Sequence, residues 1–205
     1  MNIVGILGSP STPSRSAYLL ELALSRLDAF TSSYRSIRPR DLPAQALTQA
    51  DFGDARLQDA VRAVGESQLV IVATPIYKAS YSGVLKAFLD LLPQDGLRDK
   101  TVLPLATGGS PAHLLALDYA LKPVLSALGA RDILDGIYAT DQQLPSRPEG
   151  GYSAAADIVE RLDRSVQRVA ARARELRERE AELARAASAR ANSEPWPAER
   201  VRWSV

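Results

Sequence analysis

The chain has 205 residues, of which 46% are hydrophobic and 24% are charged, so it is long enough for one well-buried core and short for two. Its formal net charge of +1 gives no strong field for nucleic acid or an anionic membrane. It has no cysteine and a single histidine, His113, which excludes disulfides and cysteine nucleophiles and leaves little for a metal centre or a serine–histidine pair.

Short apolar runs alternate with segments of helical periodicity along the chain. The predicted strands cover residues 3–7, 33–37, 69–74, 101–107 and 133–139. The predicted helices cover residues 16–27, 55–65, 83–92, 113–128 and 154–176. Near-continuous apolar strands that alternate strictly with helices predict a doubly wound α/β fold around a parallel sheet buried on both faces. Ligands bind beyond the carboxyl ends of the strands in such folds, so we expect function in the loops after the first, third and fourth strands.

The first of these loops, GSPSTPSRS at residues 8–16, joins a strand to a helix and is rich in hydroxyl groups. A helix N-terminus attracts anions through its free N–H groups. Ser9, Ser14 and Ser16 would add hydroxyl donors. Arg15 would add a guanidinium, whose fork of N–H groups suits phosphate oxygens. The alternative is that Ser14 caps the helix while the other hydroxyls face water. The loop has neither the lysine of a Walker loop nor the glycine spacing of a dinucleotide turn, which favours a terminal phosphate monoester.

The loops after the third and fourth strands add flat surface. Pro75 holds extended backbone just past the third strand, and Tyr77 and Tyr81 then present aromatic faces. After the fourth strand, Gly108 and Gly109 leave backbone N–H groups free and allow close approach of a planar ligand. Either loop alone is explained better by an ordinary strand-to-helix turn. Together with the first loop they predict a mononucleotide site for a flat heterocycle, and flavin mononucleotide (FMN) fits that description.

The chain resembles the NADPH-dependent FMN reductases in three segments, GSPSTPSRS, ATPIYKASYSGVLKAFLDLLP and VLPLATGGSPAHLLALDYALKPVLSALGA, which occur in the right order. The resemblance runs from residue 1 to about residue 144 and is greatest to the reductases of bacterial alkanesulfonate utilisation. It implies a flavodoxin-like fold, which is a three-layer α/β sandwich with a five-stranded parallel sheet of order 2-1-3-4-5.

The resemblance also implies roles for particular residues. The FMN phosphate would be held by Ser9, Ser14, Arg15 and Ser16. The isoalloxazine ring would be lined by Pro75, Ile76, Tyr77 and Lys78, with Thr107, Gly108, Gly109 and Ser110 beneath it. His113, at the start of the fourth predicted helix, is a further candidate for contact with flavin or nucleotide, with capping or packing as its alternative. No catalytic acid or base is expected, because the hydride passes between two bound cofactors.

The family implies that NADPH or NADH reduces FMN and that the reduced flavin passes to a flavin-dependent monooxygenase. Two other functions stay open, an FMN-containing quinone or azo reductase and a flavodoxin-type electron carrier. The near-neutral charge and the absence of an aromatic residue at 107–112 favour an enzyme with one open flavin face. The 2′-phosphate of NADPH would be attracted by Arg35, Arg38 and Arg40, although solvated surface charge explains these arginines equally well.

A proline falls in the middle of the fourth predicted helix. Pro123 cannot donate to the carbonyl of Tyr119 and its ring crowds that oxygen, so a kink or a single-turn π-bulge is expected around Tyr119. In this helix the chain resembles the sulfonate-type FMN reductases, which have an inserted tyrosine at a subunit interface. By that resemblance Tyr119 would pack across the interface of a homodimer or homotetramer and keep FMN exchangeable. The alternative is a proline kink tolerated in a surface helix.

The two ends of the chain give expectations about location and domain limits. No basic segment precedes the first strand and no apolar run is long enough to cross a membrane, so a cytoplasmic protein with no nucleic-acid or membrane partner is expected. We expect residues 1–176 to form the FMN-binding reductase domain. Residues 177–205 would form a charged helix end and a disordered tail, with docking of Trp196 and Trp203 on a neighbour as the alternative.

Overall fold

The computed structural model describes residues 1–193 and has the predicted doubly wound α/β architecture. Its strands are β1 (Asn2–Leu7), β2 (Ser33–Ile37), β3 (Leu69–Tyr77), β4 (Ser80–Tyr81), β5 (Thr101–Gly108), β6 (Asp132–Ile133) and β7 (Ile137–Thr140). Its α-helices are α1 (Arg15–Leu27), α2 (Ala44–Gln49), α3 (Ala55–Gly65), α4 (Gly83–Leu89), α5 (Lys122–Ala127) and α6 (Ala156–Ser193). The parallel strands run in the order β2-β1-β3-β5-β6, and β7 also pairs with β5. The predicted order 2-1-3-4-5 is therefore confirmed, with β5 as the fourth predicted strand.

Alternate side chains of the strands enter two separate cores on the two faces of the sheet. Ile3 and Leu7 of β1 pack with helices α1 and α6, whereas Val4 and Ile6 pack with α3, α4 and α5. Because both faces are covered, the strands are apolar along nearly their whole length, as in β3, where all residues except the last are buried. This arrangement gives the three layers and leaves the strand ends as the places where polar groups meet.

The fifth predicted strand, residues 133–139, is split into β6 and β7. The interruption lies opposite Pro104 of β5, which has no N–H to donate to a neighbouring strand. Gly136 fills the gap, where an added Cβ would lie 2.9 Å from Leu117 Cδ1. The split therefore results from a proline in a central strand and from a helix that packs closely against the sheet edge.

Three further elements differ from the predicted ones. Strand β4 forms a hairpin with the end of β3, and its tip, Lys78 and Ala79, has φ values of +49° and +62°, the pair of left-handed residues typical of a type I′ turn. Helix α2 was not predicted, because its six residues are too short to show a periodicity. Helix α4 ends at Leu89 instead of residue 92 because the chain turns there, with the N–H groups of Leu91 and Leu92 bonded three residues back.

The predicted bulge around Tyr119 is confirmed. Residues Leu117–Leu121 form a π-helical turn directly before α5, and the N–H of Lys122 donates to the carbonyl of Leu117, five residues back. Pro123 follows at once, so the wider turn takes up the hydrogen bond that proline cannot make. Tyr119 lies on the outside of this turn with 79% of its surface exposed.

Helix α6 continues from the predicted end at Leu176 to Ser193. Ala173 is buried, whereas residues 181–190 are all exposed, so the helix extends past the sheet into solvent. Residues 177–193 are mostly alanine, arginine and glutamate, which are strong helix formers, and Arg172 pairs with Glu175 one turn on. The predicted tail beyond Ser193, with Trp196 and Trp203, lies outside the described residues. Among residues 1–193, no helix has the length and apolar character that a membrane span requires.

Candidate functional site

A cleft of about 290 Å³ lies at the carboxyl ends of β1, β3, β5 and β7. It is lined by Ser9, Ser11, Pro13, Ser14, Arg15, Ser16, Pro75, Ile76, Tyr77, Thr107, Gly108, Gly109, Asp141 and Tyr152. All the residues predicted for the FMN site are therefore brought together except Lys78, Ser110 and His113. The residues that sequence reasoning missed are Ser11, Pro13, Asp141 and Tyr152.

The hydroxyl groups of the opening loop hold the loop in shape. Ser14 is the N-cap of α1, and its Oγ accepts a hydrogen bond of 3.3 Å from the N–H of Ala17. The Oγ of buried Ser9 accepts from the N–H of Ser11 at 3.2 Å. Ser14 thus both caps the helix and lines the cleft, so the two interpretations of the loop are compatible.

Ser16 and Thr107 connect the opening loop to the end of β5. Both side chains are buried, and their hydroxyl oxygens lie 2.6 Å apart, so one hydroxyl donates to the other. Only one hydroxyl hydrogen is used in such a pair, so the other remains available for a ligand. Ser16 therefore joins two walls of the cleft in addition to lining it.

Arg15 is fixed by three contacts with the segment after β7. Its Nε–H donates to the carbonyl of Leu144 at 2.9 Å, and its Cζ lies 5.2 Å from the centre of the Tyr152 ring, within cation–π range. Its Nη1 lies 3.6 Å from Oδ1 of Asp141. The Arg15 side chain keeps 31% of its surface exposed, so it is held in place but still open to a ligand.

The two adjacent glycines at the end of β5 have different surroundings. A Cβ on Gly109 would meet only Asp141 Oδ2, at 3.9 Å, so this backbone faces open space in the cleft. A Cβ on Gly108 would lie 2.3 Å from the hydroxyl oxygen of Tyr138, which donates to the Ser110 carbonyl at 2.7 Å. The prediction that both glycines make room for a planar ligand therefore fits Gly109, whereas Gly108 makes room for Tyr138. Burial raises the pKa of the Tyr138 phenol.

The third wall is the end of β3. The Thr74 hydroxyl accepts from the N–H of Ser82 at 3.1 Å, and the Ser82 hydroxyl donates to the carbonyl of Gly8. These bonds tie the β3–α4 connection to the opening loop. Pro75 and Ile76 are buried beside the cleft, and Tyr77 is 49% exposed at its mouth.

The remaining predicted residues lie outside the cleft lining. Lys78 is exposed at the tip of the β3–β4 hairpin, which carries it past the end of the sheet. The Ser110 hydroxyl accepts from the N–H of Ala112 at 3.2 Å and so starts the following 3₁₀ turn. His113 ends that turn, and its buried Nδ1 has no hydrogen-bond partner among the described residues.

The arginines considered for a 2′-phosphate separate into two groups. Arg35 pairs with Asp59 of α3, and Arg35 and Arg62 together lower the pKa of Asp59 to about 2, so Arg35 is occupied away from the cleft. Arg40 donates to the Pro10 carbonyl at 3.3 Å and, with Arg38, lines a shallow groove of about 250 Å³ beside the opening loop.

The donors of the cleft fit a phosphate-bearing planar ligand. One end has an arginine, hydroxyl groups and the N-terminus of a 13-residue helix, which together favour a phosphate. The other end has the open backbone of Gly109 beside the flat side chain of Tyr77. The cleft also lies at the carboxyl edge of the sheet, between β1 and β3, where doubly wound sheets bind nucleotides.

Comparison with known proteins agrees with this chemistry. The family model "NADPH-dependent FMN reductase" matches residues 1–144. Over 144 residues the chain is 50% identical to an FMN reductase (NADPH) of Pseudomonas putida, covering 70% of this chain and 73% of the relative. It is 47% identical over 144 residues to an FMN reductase (NADPH) of Escherichia coli, covering 70% and 75%.

A solved structure is also similar. The apo form of an NADH:FMN oxidoreductase superposes with a TM-score of 0.73 at 44% identity, covering 82% of this chain and 87% of that chain. The family match covers more than half of the chain, and it includes the opening loop and the two glycines at the end of β5. The chain therefore belongs to the NADPH-dependent FMN reductase family.

Proposed function

We propose that the chain reduces FMN with a nicotinamide cofactor and releases the reduced flavin to a flavin-dependent monooxygenase. Reduction of FMN is the reaction for which the family is named. The observation that carries the proposal is that one cleft has an anchored arginine at one end and an open glycine backbone at the other. FMN has a phosphate and a planar ring at the corresponding ends.

Arg15 and the opening loop hold the phosphate in this proposal. The hydroxyls of Ser9 and Ser14, the N-terminus of α1 and the guanidinium would surround the anion from several sides. Arg15 is already fixed by Leu144 and Tyr152, so little side-chain entropy is lost when the phosphate binds.

The backbone of Gly109 and the side chain of Tyr77 position the ring. When bound here, FMN would supply its N5 as the acceptor of the hydride that C4 of the nicotinamide donates. The chain contributes orientation, because Pro75, Ile76 and Tyr77 form one edge of the cleft and Gly109 leaves its floor flat. No aromatic residue occurs at 107–112, so no aromatic side chain of this loop stacks on the second face of the ring. That face is left for the nicotinamide.

The proposal extends to a homodimer or homotetramer that uses the outside of the π-helical turn. Tyr119, Leu115 and Leu114 are 79%, 56% and 46% exposed, and the π-helical turn that includes Tyr119 contacts β4. Large apolar side chains exposed together on a surface are typical of subunit contacts. In the assembly Tyr119 would pack against a second copy near the flavin and help to keep FMN exchangeable.

Steady-state oxidation of NADPH and NADH with FMN, riboflavin and a quinone as acceptors tests the function. We expect FMN-dependent oxidation that Gly109→Val strongly reduces, because the larger side chain fills the floor of the cleft. The matched control is Gly65→Val, since Gly65 also has open space at its Cβ but ends α3, away from the cleft. A chain that oxidises neither nicotinamide with FMN is not an FMN reductase. Turnover of a quinone by a chain that retains its FMN would instead support the quinone reductase alternative.

A further inference from the structure

We infer that Asp141 competes with the phosphate of FMN for Arg15 and thereby weakens the hold of the chain on flavin. This inference rests on the proposed function, because it presumes that Arg15 receives the FMN phosphate. It concerns a residue that follows β7, at the same edge of the sheet as the opening loop.

The position of Asp141 is the first argument. Its N–H donates to the carbonyl of Gly108 at 3.2 Å, which fixes its backbone beside the end of β5. Its Oδ1 lies 3.6 Å from Nη1 of Arg15, and its Oδ2 lies 3.9 Å from where a Cβ of Gly109 would be. The carboxylate therefore lies inside the cleft, between the phosphate end and the ring end, with 49% of its surface exposed.

Charge is the second argument. A phosphate monoester has a charge of about −1.5 to −2 at neutral pH and needs the same guanidinium that the carboxylate faces. Both anions cannot use Nη1 fully, so binding of FMN must weaken the Arg15–Asp141 pair or place the phosphate close to a second negative charge. Either way the free energy of FMN binding is less favourable than with a neutral residue at 141.

The anchoring of Arg15 is the third argument. The hydrogen bond to the Leu144 carbonyl and the contact with the Tyr152 ring do not involve Asp141. Removing the carboxylate therefore frees the positive charge without releasing the side chain. With an aspartate at this position, the cleft binds FMN more weakly than its hydrogen-bond donors alone would. Weaker binding favours the release of flavin after reduction.

The test measures the dissociation constants of FMN and riboflavin for the natural chain and for Asp141→Asn. We expect FMN to bind about two- to fivefold more tightly in the variant, the range of partly exposed ion pairs, while riboflavin binding is unchanged. The KM for FMN should fall by a similar factor, and Asp141→Glu, which keeps the carboxylate, should bind FMN as the natural chain does. Asp141→Ser is a second neutral variant, and Asp135→Asn removes an exposed charge outside the cleft as a control.

The same measurements in an Arg15→Ala background separate the possible failures. The inference requires that Asp141→Asn no longer tightens FMN binding when Arg15 is absent. Equal tightening without Arg15, equal changes for riboflavin, or unchanged FMN binding in both neutral variants would overturn it. If Arg15→Ala alone weakens FMN and riboflavin equally, the proposed phosphate site is itself wrong and the inference fails with it.

Discussion

Alanine at Gly108 should destabilise the chain, whereas alanine at the adjacent Gly109 should leave its stability nearly unchanged. A Cβ at Gly108 would lie 2.3 Å from the Tyr138 hydroxyl oxygen and 3.2 Å from its Cζ. Tyr138 is 3% exposed and cannot move outward, so the substitution must break its hydrogen bond to the Ser110 carbonyl and displace its ring. Loss of the bond costs about 0.5–1.5 kcal/mol and overpacking about 1–3 kcal/mol.

We therefore expect Gly108→Ala to lower the free energy of unfolding by about 2–4 kcal/mol, or the Tm by roughly 4–16 °C for a chain of this size. Gly109→Ala adds a Cβ that meets only Asp141 Oδ2 at 3.9 Å, so its stability should lie within about 0.5 kcal/mol of the natural chain. Urea unfolding followed by circular dichroism measures both values.

Tyr138→Phe in the Gly108→Ala background tests whether the Tyr138 hydroxyl causes the loss of stability. Removing the hydroxyl takes away the atom at 2.3 Å and leaves Cζ at 3.2 Å as the nearest, so more than half of the lost stability should return. A Gly108→Ala chain as stable as Gly109→Ala would refute the reasoning. So would a double variant no more stable than Gly108→Ala alone.

Two other predictions concern residues outside the cleft. Lys100 is buried with its Nζ bonded to the carbonyls of Gly65 and Ser67 at 2.7 and 2.8 Å, and desolvation lowers its pKa below 10.5. The folded chain therefore loses this proton at lower pH than the unfolded chain. Between the lowered pKa and 10.5, the free energy of unfolding of the natural chain should rise with pH relative to that of Lys100→Met. Urea unfolding at several pH values measures this difference. If the difference in unfolding free energy between the two chains is constant with pH, the pKa of Lys100 is not lowered by desolvation. Tyr119→Ala should change the oligomeric state in size-exclusion chromatography and leave FMN bound after purification, whereas Phe52→Ala, also at an exposed aromatic residue, should do neither. A Tyr119→Ala chain that stays assembled and releases FMN as before would exclude the proposed role.

Periodicity was enough to predict a doubly wound parallel sheet, and local chemistry was enough to predict the place of the cleft, whereas the strand order followed from the family resemblance. Strand ends in a parallel sheet meet at one edge, so the three loops come together whatever the details of packing. The π-helical turn was predictable from one residue, because Pro123 removes a specific hydrogen bond. These features depend on backbone rules that act within a few residues.

Features that depend on distant contacts could not be predicted. Asp141 and Tyr152 look like ordinary loop residues, and only the fold shows that both lie against Arg15. Gly108 was expected to face a ligand because nothing near it in sequence indicates that Tyr138, 30 residues later, needs its space. The split of the fifth strand needed the knowledge that Pro104 would lie opposite residues 134–136. In each case the cause is a partner far along the chain.

The hydroxyl pair of Ser16 and Thr107 also ties ligand affinity to the folding reaction itself. These residues are 91 positions apart, and Arg15 and Leu144 are 129 apart, so the cleft exists only after the first, central and last strands have assembled. A partly folded chain has no version of this site, and loop closure over such separations comes late in folding. Flavin in solution therefore acts on the equilibrium of the whole domain, adding about 2.7 kcal/mol to its unfolding free energy at a hundred times the dissociation constant.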